Sequence, residues 1–175
     1  HLVPAIEDQP AEYEPSTSAK DQAWILYTSG TTGRPTPVPF HHESIVLNAP
    51  TMELVLAIQP EDSWFTTSSP GFGAGIWYGI FGPLLYGIPT GHFSGRFDPE
   101  LVLEAFDEFE VNTLPGVVPT ALRKLVNAAE NFEEVPQLDK IMYTGEPMDV
   151  ALSKDIESVF GAYPQSIYGV TEIRS

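Results

Sequence analysis

Along this chain, short continuous apolar runs alternate with longer stretches in which apolar residues recur at helical spacing. Ala23 to Tyr27 reads as a buried strand that opens into a glycine- and hydroxyl-rich loop. Glu43 to Ile58 reads as a helix bent at Pro50, Ser63 to Thr67 as a strand, Ile76 to Tyr86 as a helix and Ile88 to Phe93 as a strand. Asp98-Pro99-Glu100 starts a helix, with Asp as cap and Pro in the first turn. It runs to about Phe109, and Leu101, Leu103, Ala105, Phe106 and Phe109 form its expected buried side. Val111 to Leu114 is the next strand, and Pro119-Thr120 opens a helix to about Ala129. Leu138 to Tyr143 is a strand, Asp149 to Phe160 a helix and Gln165 to Tyr168 a strand. This alternation predicts an α/β fold with a largely parallel sheet and flanking helices, in which ligands sit at the carboxyl ends of the strands.

The loop Thr28-Ser29-Gly30-Thr31-Thr32-Gly33 suits a phosphate, because successive backbone amides freed by glycine form an anion-binding nest. It lacks the glycine spacing and the Lys-Ser/Thr pair of the common P-loop. Read by itself, a plain solvated turn remains the alternative.

Three segments in order carry a resemblance. They are Tyr27-Thr28-Ser29-Gly30-Thr31-Thr32-Gly33-Arg34-Pro35, Tyr143-Thr144-Gly145-Glu146-Pro147 and Tyr168-Gly169-Val170-Thr171-Glu172. Together they resemble the signatures of the adenylate-forming, AMP-binding superfamily. Ser69 to Phe72, Tyr78-Gly79, Gly82 to Leu84 and Val117 to Thr120 look like its acetyl- and medium-chain acyl-CoA synthetase branch. The resemblance implies a ligase that uses ATP, Mg²⁺ and coenzyme A on a small carboxylic acid, with a place in fatty acid metabolism. It implies that Thr28, Ser29, Gly30, Thr31, Thr32 and Gly33 hold phosphate, and that Gly145, Glu146 and Pro147 wall the adenine side. It places Tyr168 against adenine beside Gly169, Thr171 on the α-phosphate and Glu172 on the metal.

Thr171, Glu172 and Arg34 are the expected catalytic residues. Phe72, Trp77 and Val117 are candidates for the acyl pocket, with plain core packing as the alternative. The chain departs from the family pattern at Thr36, where a lysine is usual, and at Pro37, where a glycine is usual; Arg34 is the candidate substitute for the missing charge.

Residues 1–22, polar, proline-bearing and without a period, read as a linker or lead-in; by the same resemblance residues 23–175 are part of the large N-terminal AMP-binding domain, with the C-terminal domain absent. The chain alone is therefore expected to be inactive, and steady-state turnover by it would overturn that. Other readings stay open: an adenylation domain loading a carrier protein, a luciferase-like oxidase, or a non-catalytic truncated paralogue. A homodimer is also left open.

Composition narrows the setting. The chain has no cysteine, which removes disulfides and thiolate metal sites, and no apolar run of about 18 residues that could span a membrane. With no basic and apolar leader, the expectation is a cytoplasmic protein. Its 24 acidic residues against eight basic ones, a net charge of −16, disfavour nucleic acid as a partner. The acids are dispersed along the chain, and their self-repulsion strains the compact state unless salt screens it. A halophilic source is therefore expected, with an ordinary acidic cytosolic protein as the alternative. Thermal melts over a KCl series check this: Tm should climb as KCl approaches molar concentrations, and a flat or falling Tm would reject it.

Overall fold

The computed structural model describes residues 12, 14–28 and 34–171. Two strands, β1 (Gln22–Thr28) and β2 (Thr36–His41), pair antiparallel with Trp24 opposite Phe40 and Leu26 opposite Val38. Leu26, Val38 and Phe40 point inward, whereas Ile25 and Tyr27 are exposed. The buried strand expected at Ala23–Tyr27 is thus half of a separate hairpin outside the parallel sheet. Its partner β2 was hidden in the sequence by Pro37 and Pro39. Both prolines lie on the exposed side of an edge strand, where a missing N–H costs no ladder bond.

Helix α1 (His42–Leu56) follows with Pro50 inside it, as the sequence suggests. Next come β3 (Trp64–Thr66), a short α2 (Gly73–Ile76), a π-helical segment (Trp77–Phe81) and α3 (Gly82–Tyr86). The rest of the chain alternates: β4 (Thr90–His92), α4 (Pro99–Glu108), β5 (Thr113–Val117), α5 (Pro119–Ala129), β6 (Lys140–Tyr143), α6 (Val150–Phe160) and β7 (Gln165–Ser166). Strands β3 to β7 form one parallel sheet in the order β4-β3-β5-β6-β7. Among the described residues, no helix is long and apolar enough to cross a membrane.

Side-chain alternation along the strands divides the core in two. Phe65 and Ile141 join Leu103 and Phe106 of α4, Leu122 and Leu125 of α5, and Ile156 and Phe160 of α6. Their neighbours Trp64 and Met142 join Met52 and Leu56 of α1, Trp77, and the hairpin residues Leu26, Val38 and Phe40. The Trp24 ring stacks on Phe40 at 4.6 Å and meets Trp77 edge-on at 5.6 Å, fastening the hairpin to the sheet body.

Helix α4 corrects one expectation. Its buried stripe is Val102, Leu103 and Phe106, while Leu101 and Phe109 are exposed. Its start is as expected, with Asp98 Oδ1 accepting from the N–H groups of Glu100 and Leu101 at 3.1 and 3.4 Å. The strand expected at Val111–Leu114 instead begins at Thr113 and continues through Pro115 and Gly116 to Val117.

Two polar devices fix how the elements meet. Lys140 Nζ donates to both carboxylate oxygens of Asp62 at 2.7 Å and to the Ala57 carbonyl at 2.8 Å, tying β6 to the turn between α1 and β3. The segment between β6 and α6 is tied to the first turn of α5 at two points. Glu146 Oε2 accepts from Thr120 Oγ1 at 2.6 Å and from the Thr120 N–H at 3.3 Å. Arg123 Nη2 donates to Asp149 Oδ2 at 2.9 Å, and Asp149 Oδ1 caps α6 by accepting from the Leu152 N–H at 2.8 Å. That backbone bond, and then the Arg123 guanidinium, hold the Asp149 carboxyl below the usual aspartate range.

With the Asp62 side chain only 3% exposed, Lys140→Met should leave a buried charge unpaired and cost about 3 kcal/mol of stability. Urea denaturation measures this, and pairing it with Asp62→Leu should recover most of the loss. The Thr120–Glu146 link should appear as a coupling of about 1 kcal/mol in a double-mutant cycle of Thr120→Val and Glu146→Ala. Because the folded value of Asp149 is depressed, its contribution to stability is complete above about pH 4. It should fade as pH falls through that depressed value, and Asp149→Asn should flatten this part of the acid-stability curve.

Candidate functional site

The carboxyl ends of β3, β5, β6 and β7 open into one cleft of about 520 Å³. Parallel α/β sheets place ligand sites at this end because the strand-to-helix turns gather there. Thr67, Ser68 and Ser69 follow β3, Val118 follows β5, Thr144 and Gly145 follow β6, and Ile167 and Gly169 to Thr171 follow β7. One wall is aromatic, built from Phe72, Trp77 and Tyr78, and the hairpin adds Leu26 and Phe40. The facing wall is the first turns of α5, with Thr120, Ala121 and Lys124, together with Phe97.

Backbone geometry holds the rim in place. The Thr144 N–H donates to the Val117 carbonyl at 3.0 Å, and the Ile167 N–H to the Tyr143 carbonyl at 2.8 Å. Ser68 Oγ donates to the Gly116 carbonyl at 2.9 Å. Gly145 has φ +85°, a conformation that would cost another residue about 1–2 kcal/mol. Gly116 has φ +69°, and a Cβ built there would lie 2.3 Å from Tyr78 Cδ2, so this glycine lets the Tyr78 ring lie against the strand. Burial pushes the Tyr78 phenol above its ordinary value. Apolar surface with a rim of hydroxyls and backbone groups suits a ligand with one apolar and one polar end.

The expected site residues fall into distinct places. Gly145, Gly169 and Thr171 line the cleft. Glu146 and Pro147 are exposed just beyond Gly145, and the Glu146 carboxylate is engaged by Thr120. Tyr168 is 85% exposed, so it is not a core residue, and it borders a smaller hollow of about 110 Å³ beside α1. Thr28 ends β1 half-buried, and Arg34 and Thr36 are exposed. Ser29, Gly30, Thr31, Thr32, Gly33 and Glu172 lie outside the described residues.

Among the acyl-pocket candidates, Phe72 and Trp77 line the cleft, but Val117 does not. Val117 is 1% exposed in the main core, and its neighbour Val118 takes the cleft position because successive strand residues face opposite ways. Sequence reasoning also passed over Phe97 and Lys124. The spacing of Thr120, Ala121 and Lys124 puts all three on one face of α5, and that was the available signal.

Comparison with known proteins places this geometry. The family model described as AMP-binding enzyme matches residues 3–174. The acetyl-coenzyme A synthetase of Bacillus subtilis (strain 168) is 31% identical over 159 residues, covering 89% of this chain and 28% of that protein. The crystal structure of Brucella canis acyl-CoA synthetase superposes with a TM-score of 0.82 at 25% identity, over 98% of this chain and 32% of that one. The o-succinylbenzoate CoA synthetase (MenE) of Bacillus subtilis, in complex with the acyl-adenylate intermediate OSB-AMP, gives a TM-score of 0.77 at 26% identity, over 90% of this chain and 31% of that one. The chain thus spans 28% of the length of the acetyl-coenzyme A synthetase it matches. Since the family model runs over nearly all of its residues, the chain belongs to the AMP-binding enzyme family.

Proposed function

We propose that this chain is the nucleotide- and acid-binding part of an acid–thiol ligase that activates a carboxylic acid with ATP and passes the acyl group to coenzyme A. In the first step a carboxylate oxygen bonds to the α-phosphorus of ATP and pyrophosphate leaves, giving acyl-AMP. In the second step the coenzyme A thiol, losing its proton, bonds to the acyl carbon and AMP leaves. The observation that carries this reading is the cleft itself. There, Gly145 and Gly169 to Thr171 share one space with the aromatic wall of Phe72, Trp77 and Tyr78. An adenylate needs a polar nucleotide end and an apolar acyl end within one enclosure, and the cleft offers both.

In this reading Thr171 donates to the α-phosphate, and the loop from Thr28 to Gly33 with Arg34 neutralises the outer phosphates. Glu172, next to the cleft-lining Thr171, would hold Mg²⁺, a hard cation that takes carboxylate and phosphate oxygens and shields their charge. Residues 1–22 serve as a lead-in and residues 23–175 as the binding domain, in a cytoplasmic enzyme. Relatives named as acetyl-coenzyme A synthetases support coenzyme A as the thiol. One observation favours a non-catalytic paralogue instead: at the start of β2 the exposed Thr36 stands where the family pattern has a lysine, which removes a positive charge from the phosphate side.

Calorimetric titration of the full-length protein with non-hydrolysable acetyl- and octanoyl-AMP analogues tests the reading. At least one should bind tightly, and Glu172→Ala should weaken Mg²⁺-ATP binding by about tenfold or more. A folded protein that binds neither analogue would overturn the ligase reading in favour of the non-catalytic one.

A further inference from the structure

Lys124 is the single charged side chain among the described residues that line the cleft. It stands one helical turn beyond Thr120 on α5, about 6 Å further along the axis from the point where Glu146 holds the adenine-side segment. Its Nζ lies 5.8 Å from the centre of the Phe97 ring. The adjacent Arg123 is paired with Asp149, and Lys140 with Asp62; among the described residues these are the two ion pairs, and Lys124 is in neither. In a chain with 24 acidic and eight basic residues, a cleft-facing cation without a carboxylate is a feature that needs an account.

The ammonium has three N–H donors, and the Phe97 ring face engages the charge without supplying an oxygen acceptor. Water serves those donors while the cleft is open. Lys124 is exposed at the edge of the cleft, so its ammonium keeps water there, and an acceptor on a bound ligand would take the place of part of that water. A carboxylate ending here gains a charge-assisted hydrogen bond that an alkyl tail does not.

We propose that Lys124 is a specificity-determining residue that selects acids carrying a second carboxylate, at the end remote from the one that is activated. This rests on the acid-activating reading of the cleft and names its substrate class. Phe97 backs the ammonium, and the aromatic wall accepts the methylenes between the two carboxylates.

The test uses the full-length protein and matched acids, hexanoate against adipate and octanoate against suberate, with pyrophosphate release as the rate signal. Wild type should favour the dicarboxylate of each pair. Lys124→Met should lower the dicarboxylate-to-monocarboxylate ratio of kcat/KM by about tenfold or more, and Lys124→Arg should keep most of it. An unchanged ratio in Lys124→Met overturns the proposal, as does a loss confined to the KM for ATP or coenzyme A, since the cation would then serve phosphate. If wild type activates no acid at all, the ligase reading fails, and calorimetry decides the selectivity separately. Adipate binding that Lys124→Met abolishes would uphold Lys124 as a carboxylate site, and adipate binding equally to both proteins, or to neither, would reject it.

Discussion

The centre of the parallel sheet is a strand that breaks the rules for a central strand. Every residue of β5 is buried, yet two of the five are Pro115 and Gly116. Proline has no N–H for the ladder and glycine brings no side chain to the core, so the pairing of β5 with β6 slips between Leu114 and Val117. Before the slip, Leu114 pairs with Ile141 in the main core; after it, Val117 pairs with Tyr143 and the chain turns into α5. The interruption puts Gly116 in a left-handed conformation with an open face, which the Tyr78 ring covers, and frees its carbonyl for Ser68. The aromatic wall therefore leans on the sheet at the place where the sheet stops being regular.

On the other side, the cleft depends on polar ties more than on packing. Helix α5 buries Leu122 and Leu125 in the core, and this fixes which face it turns to the cleft. Its position relative to the loop after β6 is set by Thr120 with Glu146 and by Arg123 with Asp149, two links a helical turn apart. The Glu146 carboxylate thus does structural work that its place in the Gly-Glu-Pro segment did not announce. One short stretch, Thr144 to Asp149, contributes cleft lining, a tie to α5 and the cap of α6.

Much of this was legible in the sequence where local chemistry decides local structure. Asp98 caps the helix that it appeared to cap, and Asp149, where a helix was expected to begin, caps α6, because a carboxylate facing free N–H groups is favourable wherever the helix sits. The alternation of strands and helices gave the α/β class for a similar reason. The failures came where long-range packing decides. Strand β2 was not anticipated, yet its Pro37 and Pro39 lie on the outer face of a two-stranded edge and fit without loss. Leu101 and Phe109 read as core at helical spacing, but the sheet meets α4 along the stripe of Val102, Leu103 and Phe106. Lys124 was passed over, since nothing in its neighbourhood along the chain indicates that Phe97 comes to face it.

The distribution of indoles between the two cores has a consequence for anyone watching this protein by light. All three tryptophans, Trp24, Trp64 and Trp77, belong to the smaller core shared by α1, the π-helical segment and the hairpin. The larger core under α4, α5 and α6 contains phenylalanines and aliphatic residues but no indole. Intrinsic emission is therefore an optical label on one half of the molecule, the half whose Trp77 forms part of the cleft wall. A fluorescence trace will follow the hairpin and the aromatic wall, while loosening of the opposite helical layer passes unseen until it reaches the sheet.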